Sequence, residues 1–159
     1  MMERVNKILA NPQYQEYLRQ IQSLEADRKF CGHTIEHFLD VARLSFILAK
    51  EEGLEIDKEV IYATALLHDI GRYLEYTKGI SHHEGSAIIA QELLSQCGFA
   101  KSEQAIIQEA ILGHRKEQES DDFVAIFYRA DKLSRNCFSC AVESECNWPI
   151  EKKNMKVIL

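Results

Sequence analysis

Apolar residues recur along most of this chain at steps of three and four, and almost nowhere do they alternate one by one. That period places them on one face of an α-helix and argues against strands. Asn11-Pro12 reads as an N-cap followed by proline at the first helical position, between two short helices. Behind it Tyr14, Tyr17, Leu18, Ile21 and Leu24 form an apolar stripe. Arg28-Lys29 then leads into a loop, Phe30-Cys31-Gly32-His33. A long helix is predicted from about Thr34 to Glu52, stopped by Gly53. His33, His37, Val41, Leu44 and Leu48 share one stripe of it, so His37 points toward the core.

Asp57 caps the next predicted helix, which runs to about Asp69 and breaks at Gly71. Its run Val60-Ile-Tyr-Ala-Thr-Ala-Leu-Leu67 is apolar nearly all round, the mark of a central, buried helix. Ser81-His82-His83-Glu84 has the form of a capping box, serine with glutamate three residues on. The helix behind it carries Ile88, Ile89, Leu93 and Leu94 and ends near Cys97-Gly98. Ser102 opens another, with Ile106, Ile107, Ala110 and Ile111, ending near Gly113-His114. Asp121 opens the last clear helix, in which Phe123, Phe127 and Asp131 follow at steps of four. Beyond Arg135 the periodicity is lost.

The expected fold is therefore all-α, a single-domain helical bundle over residues 1–159. Its motif-bearing core covers about 33–135, and a cysteine-containing segment, 136–159, follows. Two prolines and seven glycines in 159 residues agree with a helical chain. The net charge of −6 argues against general binding of nucleic-acid polymers, which draws on clustered positive charge, but not against a nucleotide. No apolar run is long enough to span a membrane, and the first residues lack the apolar core of an export signal. A cytoplasmic protein with reduced thiols is the expectation. Nothing in the pattern indicates an oligomeric state.

The pair His68-Asp69 closes the most apolar run of the chain. A desolvated carboxylate beside an imidazole costs several kcal/mol unless something compensates its charge. A bound cation does so, and His37, His83, His114 and Asp131 lie on or beside other apolar stripes. Imidazole and carboxylate donors together suit borderline divalent metals such as Fe, Mn, Zn, Co or Ni, whereas oxygen donors alone suit Mg or Ca.

These residues resemble a known signature. His37…His68-Asp69…Asp131 is similar to that of the HD-domain superfamily of metal-dependent phosphohydrolases. So are the local strings His37-Phe-Leu-Asp-Val41-Ala42, Ala65-Leu-Leu-His-Asp-Ile-Gly71 and Tyr128-Arg-Ala-Asp131-Lys132, and His68-Asp69-Ile70-Gly71 is the form called HDIG. The resemblance covers roughly His33 to Arg135 and implies a helical fold with His37, His68, Asp69 and Asp131 on a first divalent metal. His83 and His114 match the positions that hold a second metal in dinuclear branches, with Asp69 bridging. The Gly-Tyr-Pro part of the HD-GYP signature is absent, which counts against a cyclic dinucleotide substrate.

The implied activity is hydrolysis of a nucleotide or related phosphoester or phosphoanhydride by metal-activated water. One or two divalent ions (Mg included) would be bound, Asp69 would be catalytic, and Arg72 and Lys132 would face the phosphate, with Arg135 a further cation near Asp131. The competing expectations are a non-catalytic metal- or nucleotide-binding signalling module of the same fold and a di-iron oxygenase.

The five cysteines stand apart from this signature. Cys137-Phe-Ser-Cys140 is a C-x2-C knuckle, followed by Cys146. With Cys31 these would form a zinc or iron–sulfur site only if the loop before His33 lies against the C-terminal segment. No second C-x2-C is present, and free thiols are the default reading.

Overall fold

A computed structural model describes residues 1–115 and 122–159; Asp121, expected to open the last long helix, lies outside the described residues. Among the described residues eight α-helices follow one another: α1 Glu3–Ala10, α2 Pro12–Leu24, α3 Ile35–Glu51, α4 Lys58–Leu67, α5 Arg72–Lys78, α6 His82–Gln96, α7 Lys101–Gly113 and α8 Phe123–Leu133. Three single 3₁₀ turns, Cys137–Ser139, Glu143–Glu145 and Ile150–Lys152, complete the described chain, which contains no strand. None of the described helices is long and apolar enough to cross a membrane.

Local chemistry sets most of the helix ends. Asn11 Oδ1 accepts from Gln13 N and Tyr14 N, Asp57 caps α4, and Thr34 accepts from His37 N. Asp122 caps α8 through Ala125 N. Gly53, Gly79 and Gly98 follow helix ends at φ of 71°, 69° and 86°, the left-handed region where a side chain costs about 1 kcal/mol or more. The box expected at Ser81 does not form: its hydroxyl donates to the Glu84 carboxylate and caps no backbone N–H. At α7 the residue before the helix is Ala100, whose N–H donates to Glu103 at 2.7 Å, so the expected start at Ser102 falls one residue inside.

Helix α4 divides the interior. Val60, Ala63, Leu66 and Leu67, with Ile70 just beyond, pack against α1, α2, α6 and α7 on one side. Ile61 and Ala65 pack on the other against Val41, Ala42 and Leu48 of α3 and Phe123, Ile126 and Phe127 of α8. Each fully buried leucine or isoleucine contributes roughly 1.5–3 kcal/mol, so a helix apolar all round has its place only at the centre. Tyr14, fully buried, donates its hydroxyl to Leu66 O at 3.1 Å and so satisfies a carbonyl in the last turn of α4. From the outside Arg4 ties α1 to α4 and α7, meeting Glu59 at 2.6 Å, Glu103 at 2.7 Å and Asp57 at 3.1 Å, while lying 4.4 Å over the Phe99 ring.

Gly71 sets the distance between α4 and α6. A Cβ there would lie 2.1 Å from Ser86 N and 2.2 Å from His82 O. Its N–H donates to Ser86 Oγ at 2.8 Å. Only a hydrogen fits between the break in the chain after Asp69 and the first turns of α6.

Candidate metal centre

Five elements deliver polar side chains to one buried place. His37 comes from the first turn of α3 and Asp131 from the last turn of α8; His68 and Asp69 follow α4 directly. Ligand atoms of these four buried residues lie within 4.8 Å of one another. Asp69, His82 and His114 form a second such group, so Asp69 belongs to both.

Asp69 stands at the middle. His68 Nε2 and His33 Nε2 lie 3.2 and 3.5 Å from its Oδ2. His82 Nε2 and His114 Nε2 lie 3.6 and 3.9 Å from its Oδ1, and Arg72 Nε lies 3.3 Å from the same oxygen. In each of these imidazoles the far nitrogen is held by an oxygen. His68 Nδ1 meets Ala65 O at 2.7 Å and His114 Nδ1 meets Ile111 O at 2.5 Å, both carbonyls three residues back in the helix that has just ended. His33 Nδ1 meets Glu25 at 2.5 Å, and His82 Nδ1 meets Glu75 at 3.2 Å. An oxygen acceptor places the proton on Nδ1 and leaves the Nε2 lone pair toward Asp69, the arrangement of a metal-ligating histidine.

His37 works in the same sense through Ser134. Ser134 Oγ lies 3.1 Å from His37 Nδ1 and donates to Asp131 O at 2.7 Å, so the imidazole donates to the hydroxyl. His37 Nε2 then accepts from Arg135 at 2.9 Å and lies 3.4 Å from Asp131 Oδ1.

The electrostatics of the cluster call for positive charge. Asp69 and Asp131 are held well below the usual carboxylate range: burial opposes ionisation, and the neighbouring histidines overcome it, joined by Arg72 beside Asp69 and Lys132 beside Asp131. Burial alone would lower His68, yet Asp69 and Asp131 raise it to about 9: with no metal a proton would sit on Nε2, in the place a bound cation would take. Burial dominates at His37 and His114, which fall to about 4 and stay neutral.

A divalent cation fits this donor set. His68 Nε2 is fully buried and no atom meets it along a hydrogen-bond direction, although two carboxylate oxygens lie within 3.6 Å. An orphaned buried nitrogen between two carboxylates is costly unless a cation takes the lone pair. The mixture of imidazole and carboxylate suits Fe, Mn, Zn, Co or Ni.

The expected residue His83 requires a correction. The imidazole that reaches Asp69 belongs to His82, which is buried, whereas His83 is half-buried and belongs to neither group. The close approach at Gly71 decides which face of α6 turns inward: His82, Gly85, Ser86, Ile89 and Leu93 form its buried stripe. That stripe is legible in the sequence once glycine and serine are counted as contact residues. His33 and Glu25 also belong to the site: His33, one turn before His37 on the same stripe, precedes the helix, whereas Glu25, which ends α2, is singled out by no spacing.

Of the expected phosphate-facing residues, Arg72 is engaged with Asp69 and with Glu75 at 2.7 Å. Lys132 Nζ lies 2.6 Å from Asp131 Oδ2 with part of its side chain open to solvent. In front of the cluster is a cavity of about 510 Å³, bordered by Asp69, His82, His114 and Asp131. Its remaining wall includes Arg28, Arg72, Arg115, Lys132 and Arg135, with Phe30 and Trp148.

The chain is similar to several known proteins. A solved structure, a predicted HD superfamily hydrolase from an uncultured Thermotogales bacterium, matches with a TM-score of 0.62 at 28% identity over 91% of this chain and 83% of its own. An uncharacterized protein of Clostridium beijerinckii is 47% identical over 98% of this chain and 99% of its own length. Ribonuclease Y of Mycoplasma mycoides is 31% identical over 75% of the chain, and that of Borreliella burgdorferi 32% over 79%. The chain covers only 26% and 23% of those two relatives, about a quarter of their length. The HD domain family model matches residues 34–136, from the cap of α3 to just past Asp131, and the chain therefore belongs to the HD-domain family.

Proposed function

We propose that the protein is a metal-dependent phosphohydrolase acting on a nucleotide or a related phosphoester or phosphoanhydride. His37, His68, Asp69 and Asp131 would hold one divalent cation, and Asp69, His82 and His114 a second. The observation that carries this reading is Asp69, buried and shared by two donor groups, with the unpartnered His68 Nε2 beside it. Cations bound there lower the pKa of water toward neutrality and neutralise charge on a phosphate.

The chain's own residues do the rest. Glu25 and Glu75 hold His33 and His82 in the orientation that faces Asp69. Arg72 fixes the Asp69 carboxylate from the side opposite His68, so its first task is positioning. At the cavity wall Arg115 is exposed, and Lys132, though paired with Asp131, is partly open to solvent; both carry the right charge for a phosphate. A cavity of about 510 Å³ accommodates a mononucleotide-sized ligand, with Phe30 and Trp148 offering aromatic surface for a base.

The test couples metal analysis of protein purified without chelator to a hydrolysis panel of deoxynucleoside monophosphates, dinucleoside polyphosphates, cyclic dinucleotides and a short RNA. One to two divalent ions per chain and turnover of at least one class are expected, and Asp69→Ala should lose both. A wild-type protein with no affinity for divalent ions, or an Asp69→Ala variant with full turnover, refutes the reading. A metal-loaded protein inert on the whole panel would instead favour a binding module.

A further inference from the structure

Residues 136–159 pose a problem of stability. None of them is buried, yet they fold into three 3₁₀ turns rather than a helix or an open tail. A segment of that length normally holds a specific shape by burying apolar side chains, and one without a core needs a disulfide or a metal instead. All five cysteines of the chain are free, so no disulfide supplies the constraint.

The thiols are placed for the other solution. Cys31, Cys137, Cys140 and Cys146 all line one cavity of about 310 Å³, together with Trp148 and Lys153. The fifth, Cys97, is buried in the helical core. Cys137 opens the first 3₁₀ turn and Cys140 closes it, its N–H donating to Cys137 O at 3.1 Å. Cys146 closes the second turn in the same way, on Glu143 O. Cys31 arrives from the loop before His33. Arg135 fastens that loop by donating to Gly32 O at 2.8 Å, and Lys29 meets Glu145 at 2.5 Å. Lys153, which also lines the cavity, holds the second turn by donating to Glu143 O at 2.9 Å and to the Glu143 carboxylate at 2.7 Å.

We propose that Cys31, Cys137, Cys140 and Cys146 bind an iron–sulfur cluster that fastens the C-terminal segment to the loop carrying His33. Four thiolates select zinc or an iron–sulfur cluster. Their spread decides between them. A single zinc with bonds of about 2.3 Å draws its sulfurs to roughly 3.8 Å from one another. Among the described residues no three of these sulfurs come within 4.8 Å of each other. They ring a cavity instead, and a cubane presents four separate irons to four separate thiolates. Cys31 and Cys146 also border the cleft in front of Asp69, so the cluster would form one wall of it.

The experiment uses the full chain purified without oxygen, or reconstituted anaerobically with sulfide and equal amounts of ferrous and ferric iron, and is independent of any hydrolytic activity. About four irons and four acid-labile sulfides per chain are expected beyond the divalent ions of the histidine site, with a broad visible absorption that bleaches on reduction. Cys137→Ser/Cys140→Ser should lose at least 90% of the sulfide, whereas Cys97→Ser and Asp69→Ala should keep it. Because the double variant can lose its tail fold, thiol alkylation of the wild type is the second readout. Cys31, Cys137, Cys140 and Cys146 should resist alkylation until the cluster is destroyed by oxidation and chelation. Stoichiometric zinc without sulfide, full sulfide in the double variant, or immediate alkylation of all four thiols overturns the proposal.

Discussion

Gly71→Ala should be one of the most damaging single-methyl substitutions in this protein. Gly71 has φ −71° and ψ −5°, a conformation alanine adopts freely, and alanine is the better helix former, so the backbone raises no objection. The obstacle is steric: the new Cβ would stand 2.1 Å from Ser86 N, 2.2 Å from His82 O and 2.5 Å from Gly85 C. All three are backbone atoms, so no side chain can rotate away and α6 must retreat by about 1 Å or more. Overpacking of this kind costs about 1–3 kcal/mol or more. The retreat also breaks the buried Gly71 N–H to Ser86 Oγ bond, worth about another 1–2 kcal/mol. The expected loss is therefore about 3–5 kcal/mol, or a fall in Tm of roughly 10 °C or more for a chain of this size. Urea and thermal melts followed by circular dichroism measure it. Gly79→Ala is the control: its φ of 69° strains alanine but nothing lies within 4 Å, so a loss of about 1–2 kcal/mol is expected. A Gly71→Ala protein within 1 kcal/mol of wild type, or more stable than Gly79→Ala, would falsify the claim that this contact sets the helix spacing.

Three further outcomes follow from the same geometry. His82→Ala should lower divalent-metal content and turnover by tenfold or more, while His83→Ala changes either less than threefold; equal effects would mean that α6 is turned differently. Burial pushes Glu25 up, but hydrogen bonds from His33 and Tyr76 outweigh it and hold the carboxyl at about 2, against 4.5 when free. The unfolded chain thus takes up this proton first, so the stabilisation is complete above pH 4.5 and is lost as pH falls toward 2, by about 1–2 kcal/mol after allowance for solvent screening. Glu25→Gln should flatten the stability–pH curve in that window relative to wild type, and parallel curves would contradict the assignment. Arg4→Ala should cost about 2–3 kcal/mol in urea melts, because it leaves Glu59 and Glu103 facing each other across a half-buried space without their cation; a loss below 0.5 kcal/mol, the size of an ordinary exposed pair, would refute it.

Much of the fold is legible in the residue pattern because it depends on local chemistry. Asn11 before Pro12, Asp57 before α4 and Gly53 after α3 act within a few residues of themselves, and the apolar run of α4 has no place but the centre. Helix α5 leaves no mark in the residue pattern because it buries only Leu74 and so shows no periodic stripe. The choice between His82 and His83 depends on how α6 is rotated against Gly71, a contact between stretches whose mutual distance no local pattern records. The pairing of Glu25 with His33 is of the same kind, and so is the meeting of Cys31 with the cysteines past residue 136. Five of the imidazole and carboxylate positions in the two groups, His37, His68, Asp69, His114 and Asp131, are legible because apolar neighbours make a buried charge conspicuous. The residues that steady them are ordinary polar residues until the chain folds.

The histidines around Asp69 fall into two kinds, distinguished by what grips the outer nitrogen. For His68 and His114 the grip is main-chain, supplied by a helix end that any sequence forming that helix would reproduce. Substitutions nearby can reshape the cleft for a different ligand without disturbing those two rings. For His33 and His82 the grip is a glutamate, which mutation or acid can remove. One half of the pocket is thus conservative by construction and the other adjustable, and divergence in specificity among such proteins would be expected to accumulate around Glu25 and Glu75.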